Sequence, residues 1–346
     1  MLLREFITMG SEPIKAVESE VDLIARGILE NHRDPVIRHI LLKELVVSAT
    51  RNERDEAYKA IDESINVIRL ANEQLDDGGW GPFHSRSAKL KQAIPSTEVG
   101  VERAISLGLD SRHPILKNAC DYIVEILEGR IPFPDYEERN DRWPIGKRLI
   151  LCATLSLIDR NHPLLDGPRR LWAEIAGRTF SSGAYSEADE ARAHRELTGA
   201  SVKGSYLVLR SRYHLALLGS SRATLPHEIR SSWLDWLCSL EVGIGYLEVP
   251  LRAPPLSAYP GPLERWFASH ELLSKHYPDE WSDRSGDSID WLIKNRLSNG
   301  NWDFGSRAPT QHYFPLSESW KSKESREVDW TVRVLRLWRR TTGVMR

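Results

Sequence analysis

Between its turn signals this chain places apolar residues three or four positions apart, the spacing of one buried helical face. Ala16–Glu30 and Asp34–Ser48 are predicted as a first helical pair, broken by Asn31-His32-Arg33. Asp34-Pro35 is a strong start signal, an N-cap followed by Pro at the first helical position. A helix is predicted over Arg54–Leu75, another from the Pro95-Ser96-Thr97-Glu98 start to Gly108, and another from Pro114 to Glu128. Later ones run from Pro144 to Ile158, Pro163 to Ala176, and Glu190 to Leu218 with a break at Gly199 or Gly204. Pro226–Leu240, Pro262–His276, Gly286–Leu297 and Arg326–Arg340 complete the series. No stretch shows strand alternation, so the pattern predicts an all-α chain of about twelve helices in six pairs.

The helices carry a repeated phrase. Arg69-Leu70 leads to Gln74 and then Gly78-Gly79-Trp80; Trp291-Leu292 leads to Arg296 and then Gly300-Asn301-Trp302; Trp236-Leu237 leads to Glu241 and then Gly245-Tyr246. Each time the polar residue falls four positions after the Leu, and the Gly four after that. Looser echoes start at Tyr122-Ile123 and Leu171-Trp172. The leading positions recur roughly every 50–65 residues, in or just above the range of solenoids and closed helical arrays. A helical pair of this kind cannot bury its apolar face alone, so stacked neighbours supply the core. Residues 1–346 are therefore expected to form one domain, with the Pro-rich stretch Arg252–Pro262 as a long loop over one end.

Composition narrows the function classes. Net charge is −2 with both signs interspersed, which leaves no electrostatic footprint for nucleic acid. The longest apolar runs, such as Leu149–Leu157, are too short to span a bilayer. Glu5 and Glu12 interrupt any apolar core near the start, so no signal peptide and a cytoplasmic location are expected. Cys120, Cys152 and Cys238 sit far apart within apolar helical patterns and read as buried small hydrophobes. The 12 Trp residues are the one compositional outlier: those closing turns (Trp80, Trp302) fasten neighbouring repeats, while those near helix starts (Trp143, Trp266, Trp330) could line a cavity.

The Leu-x-x-x-Gln-x-x-x-Gly-x-Trp spacing resembles the QW motif of squalene and oxidosqualene cyclases, shared in outline with protein prenyltransferase β subunits. Gln74, Gly78 and Trp80 match fully; Arg296, Gly300 and Trp302 match with Arg in place of Gln. Through Asp34–Arg38, Gln74–Trp80 and Ser325–Trp338 the chain also resembles a family of bacterial proteins described as prenyltransferase-like or squalene-cyclase-like, a resemblance that brings no activity with it. It implies an (α/α)6 toroid of about six helical hairpins, and a small apolar or amphipathic molecule, isoprenoid or terpenoid in type, in a central cavity.

The catalytic equipment of those families is missing. There is no Asp-x-Asp-Asp cluster to protonate an alkene and no Asp-rich magnesium helix; Gln74-Leu75-Asp76-Asp77 lies in a repeat turn. Neither Cys120-Asp121 nor Asp235/Cys238 matches a zinc site, and no His spacing suggests a metal. No metal or cofactor is therefore expected. The alternatives are a carbohydrate-active hydrolase or lyase using paired carboxylates and a non-catalytic protein-binding scaffold. Carboxylates near helix starts are Glu98, Asp141, Glu196 and Asp329, with Asp303 beside a turn Trp; Glu98 and Asp329 are the predicted catalytic pair. Trp143, Tyr206, Arg210, Trp266, Trp330 and Arg333 are the predicted substrate-binding residues, aromatics beside Arg suiting an anionic head group.

Overall fold

A computed structural model describes residues 11–85, 93–202, 207–252, 260–306, 310, 312–318 and 321–341. All its regular elements are helical, and no strand occurs among the described residues. In chain order the α-helices are α1 (Ser11–Asn31), α2 (Pro35–Ile40), α3 (Arg51–Ala60), α4 (Ile65–Glu73), α5 (Thr97–Ser106), α6 (Pro114–Leu127), α7 (Trp143–Ile158) and α8 (Asp166–Thr179). There follow α9 (Glu187–Thr198), α10 (Arg212–Gly219), α11 (His227–Ser239), α12 (Pro260–His276), α13 (Pro278–Ser282), α14 (Gly286–Lys294) and α15 (Lys323–Thr341). No described helix is long and apolar enough to cross a membrane.

The predicted helices are present with two departures near the start of the chain. Asp34 caps α2 as expected, accepting from Val36 and Ile37 N, but α2 passes into a π-turn at Leu41–Leu45. The helix expected over Arg54–Leu75 is two. Asn66, buried at the start of α4, donates from its amide to the carbonyls around Leu316, and Ser64 is extended. Tertiary bonding thus breaks a continuous pattern. The predicted break at Gly199 is present: Gly199 is left-handed at φ 72° and closes α9.

The chain divides into two compact units. The first comprises residues 1–69, 106–108 and 252–346. In it α1 packs on α15, α12 on α13 and α15, and α2 on α3. The second comprises residues 70–105 and 109–251. There α6 and α10 pack on α7, and α8 packs on α9 and α10.

Each unit contains one full repeat turn, built from the same bonds. In the second unit the Gln74 amide donates to Gly78 O at 2.8 Å and Ile115 O at 2.9 Å, and Trp80 Nε1 to Leu70 O at 3.1 Å. In the first unit Arg296 Nε donates to Gly300 O at 2.6 Å, Trp302 Nε1 donates to Leu292 O at 2.7 Å, and the guanidinium lies 5.2 Å from the Trp302 ring centre. Trp80 N and Trp302 N donate to Thr97 and Thr331 Oγ1, both at 3.0 Å. Arg replaces Gln without loss because both supply an N–H to the turn carbonyl. The third repeat diverges: Glu241 is exposed and Tyr246, a non-glycine residue, sits at φ 73°.

Gly100 shows how tightly Trp80 is seated. A Cβ there would lie 2.5 Å from two atoms of the indole, which is fully buried and hydrogen-bonded. Ala would gain about 1 kcal/mol of helix propensity but force an overpacking cost of about 1–3 kcal/mol. Gly100→Ala is therefore expected to lower the denaturation midpoint; an unchanged or higher midpoint would show that the ring can shift.

The second unit also buries two imidazoles, His194 and His214, against Trp172, with ring centres 5.3 and 4.2 Å away. Their nearest backbone partners, Leu207 for His194 and Val208 for His214, are held short of good hydrogen-bond geometry. Burial lowers both pKa values, that of His194 to about 4, so acid favours the unfolded chain as pH drops below the ordinary value of 6.5. Replacing His214 with Leu exchanges a buried imidazole, poorly bonded to Val208, for an apolar group of similar volume, and is expected to raise stability by about 1 kcal/mol. A denaturant melt checks this, and a loss of stability would show that the imidazole is satisfied.

Candidate functional site

Three segments of the second unit bring titratable groups together. The turn after Trp80 supplies His84. Its backbone is held by Asp135, whose carboxylate accepts from Phe83 N at 2.6 Å, His84 N at 2.9 Å and Ser85 N at 2.6 Å. α5 supplies Glu98 and Glu102, four residues apart and so on one helical face. The first turn of α10 supplies Arg212 and Tyr213, where Ser211 caps the helix by accepting from Tyr213 N.

Glu98 Oε2 is the focus. His84 Nδ1 lies 2.8 Å from it and Tyr213 Oη donates to it at 3.1 Å, the phenol and imidazole being 3.1 Å apart. Burial works against the Glu98 charge, but His84, Arg212 and Tyr213 outweigh it and lower its pKa. Burial likewise opposes a charged His84, but the hydrogen bond and charge of Glu98, with Asp135, raise its pKa above 6.5. The Tyr213 phenol is pushed far up by burial and then by the Glu98 charge, so it stays a donor. The result is a carboxylate–imidazole pair in which Glu98 fixes Nδ1 and leaves Nε2 of the partly exposed His84 for an incoming group.

Glu102 behaves oppositely. Burial pushes its pKa up; the attraction of Arg212, to which it is hydrogen-bonded, is partly cancelled by repulsion from Glu98, and the carboxyl ends at about 7. Its side chain and that of Arg212 remain 19% and 18% exposed, so both reach solvent. Two carboxyl groups one helical turn apart are thus driven to different protonation states, the arrangement that separates acid from base roles.

Tyr246 closes the site. Its ring meets those of His84 and Tyr213 edge-on at 5.8 and 5.1 Å. It stands in a loop where Glu248 too has a positive φ, pinned by Gly245 N donating to Arg210 O at 2.8 Å. Non-glycine residues at positive φ store strain that the surroundings must hold, and they cluster at functional sites.

Of the residues predicted from sequence, Glu98 is at this centre, whereas Asp329 belongs to the other unit. Asp329 is fully buried; its Oδ2 accepts from Leu316 N at 2.8 Å, and Oδ1 lies 3.4 Å from Arg333. Burial raises its pKa to about 6 against the pull of Arg333. Arg333 is buried too, donating to Phe314 O and lying over the Tyr313 ring at 4.9 Å. Trp266 and Trp330, expected at a cavity wall, are instead at most 1% exposed. They pack into an aromatic cluster with Phe267, Trp291, Phe304 and Tyr313. Trp143 is buried and donates from Nε1 to Glu137. Arg210 lies 3.5 Å from Glu248, with Nη1 buried and lacking a hydrogen-bond partner among the described residues. Tyr206 lies outside the described residues. The other carboxylates have structural partners: Asp141 accepts from Ser201 N, Glu196 pairs with Arg178, and Asp303 grips Arg326 through two nitrogens.

His84, Glu102 and Arg212 were missed by sequence reasoning, and Tyr213 stood out only as one of the polar and aromatic residues on its helix. One signal was available: Glu98 and Glu102 are like charges at i and i+4, which repel on a solvated helix and call for a cation opposite. No family model, curated protein or solved structure matches this chain.

Proposed function

We propose that this protein is an acid–base enzyme that cleaves a C–O bond in a polar, hydroxyl-bearing substrate of the carbohydrate type. The observation that carries the proposal is the pairing of a Glu98-anchored His84 with a Glu102 carboxyl poised near neutrality on the same face of the site. In this mechanism His84 Nε2 takes a proton from water or from an acidic C–H of the substrate. Glu102 delivers its proton to the departing oxygen, and Arg212 stabilises the carboxylate left behind. With water as nucleophile the outcome is hydrolysis; with a C–H proton removed it is elimination, leaving a C=C bond. Groups with pKa values near the working pH suit such transfers. An acid at about 7 is poorly matched to protonating an isolated alkene, the step that the isoprenoid expectation requires. That expectation, like the (α/α)6 toroid, rests on the repeat resemblance.

The test is incubation with a panel of neutral and uronic-acid-containing oligosaccharides in heavy-oxygen water, read by mass spectrometry and ultraviolet absorbance. Label in the product signals hydrolysis and a new conjugated chromophore signals elimination. No cleavage across the panel, with an unperturbed His84 imidazole resonance, would overturn the carbohydrate assignment and favour a scaffold.

A further inference from the structure

We infer that the first unit carries a binding site for a small oxyanion, phosphate-like in charge, formed by Lys275 on α12 with Arg336 and Arg340 on α15. This does not rest on the acid–base reading, which concerns the other unit. The placement follows from helix register. The Phe267 ring on α12 lies 5.2 Å from the Trp330 ring on α15, and one turn further along both helices Glu271 lies 3.5 Å from Arg333, so the two packed helices run in the same direction. Lys275 is one turn beyond Glu271 on the same face of α12, as Arg336 and Arg340 are one and two turns beyond Arg333 along α15. The ammonium thus comes beside the two guanidiniums.

The local charges do not balance. Arg336 is bidentate to Glu44, at 2.9 and 2.7 Å, and Arg340 Nη2 donates to the same carboxylate at 2.9 Å. Arg336 Nη1 is turned to the Ser106 carbonyl at 3.4 Å. One carboxylate therefore serves two guanidiniums, while Glu271 and Asp329 flank Arg333. Lys275 has no hydrogen bond or ion pair among the described residues, although its side chain is exposed. Arg340 meets the Glu44 carboxylate through Nη2. The surrounding protein and then Arg340 and Arg336 disfavour the Lys275 charge and pull its pKa down to about 8 despite the pull of Glu44 and Glu271, as expected where clustered cations outnumber the carboxylates they share. A multivalent oxyanion would meet an ammonium point charge and the open edge of a guanidinium fork at once.

The experiment is a thermal-shift and calorimetric titration of the full chain with inorganic phosphate, against sodium chloride at matched ionic strength, in wild type and Lys275→Met. Expected are a phosphate-specific rise in melting temperature for wild type and at least a tenfold weaker affinity in the variant. The variant should melt no lower than wild type without phosphate, because it loses a repulsive cation. Sulfate and acetate titrations then separate demand for charge from demand for shape. Equal phosphate responses in wild type and K275M, or no response beyond that of chloride, would overturn the site.

Discussion

Glu102→Gln is expected to cut turnover on a cleavable substrate by about a hundred- to ten-thousand-fold, the usual contribution of a positioned general acid. Its effect on stability should have the opposite sign. A carboxyl whose folded pKa is raised to about 7 from 4.5 favours the folded chain at low pH, and that advantage is lost as pH rises from about 4.5 through about 7. Above pH 7 the wild type therefore carries an ionised Glu102 that the fold disfavours, and Gln at this position is expected to raise the melting temperature. An activity loss coupled to a stability gain identifies a site kept strained for function. The pH profile gives a second readout. Wild-type kcat/KM should fall as pH rises through about 7, when the acid is deprotonated, and that limb should vanish in E102Q. Full activity in E102Q, or a melting temperature that falls along with activity, would assign Glu102 a structural role as the partner of Arg212.

What the sequence disclosed and what it hid follow from the range of the interactions. The turn motifs were legible because the bonds that close them, Gln74 to Gly78 and Arg296 to Gly300, Trp80 back to Leu70 and Trp302 back to Leu292, span ten residues or fewer. Helix content was legible for the same reason. The site was not: His84 meets Tyr213 across 129 residues, and Arg212 meets Glu102 across 110. Glu98 could be nominated alone because it stands at a helix start, but its partners come from a turn and from the helix beginning at Arg212, which the pattern merged into a longer one. Trp266 and Trp330 turn on a related ambiguity. An inward-facing Trp at a helix start has the same periodicity whether it lines a cavity or fills a core, and in Trp266 and Trp330 the core won. Tyr246 shows where departure from a repeat was itself informative: the third phrase keeps the spacing but loses its polar bond, and its aromatic turns toward His84.

Glu44 is expected to be the most sensitive charged residue for stability. Burial opposes its charge, yet Arg336 and Arg340 outweigh that and bring its pKa down to about 2. A carboxyl held there, against 4.5 when free, contributes on the order of 3 kcal/mol at neutral pH. Because the folded value is depressed, this contribution is complete above about pH 4.5 and is lost as pH falls toward 2. Glu44→Gln removes it at all pH values and leaves Arg336, Arg340 and Lys275 facing one another, so a loss of about 3–5 kcal/mol is expected. Unlike wild type, the variant should show little further loss between pH 4.5 and 2 from this group. The vacated charge also connects this residue to the oxyanion site: with Glu44 neutral, the three cations lack their shared counter-ion, so phosphate should restore more stability to E44Q than to wild type and more than chloride does. A denaturant series at two phosphate concentrations, with ionic strength held constant, decides it. Rescue confined to E44Q would mean that Glu44 already balances the cluster in the native protein and would overturn the oxyanion site, whereas rescue in both chains, stronger in E44Q, is the outcome expected of a site whose charge Glu44 only partly balances.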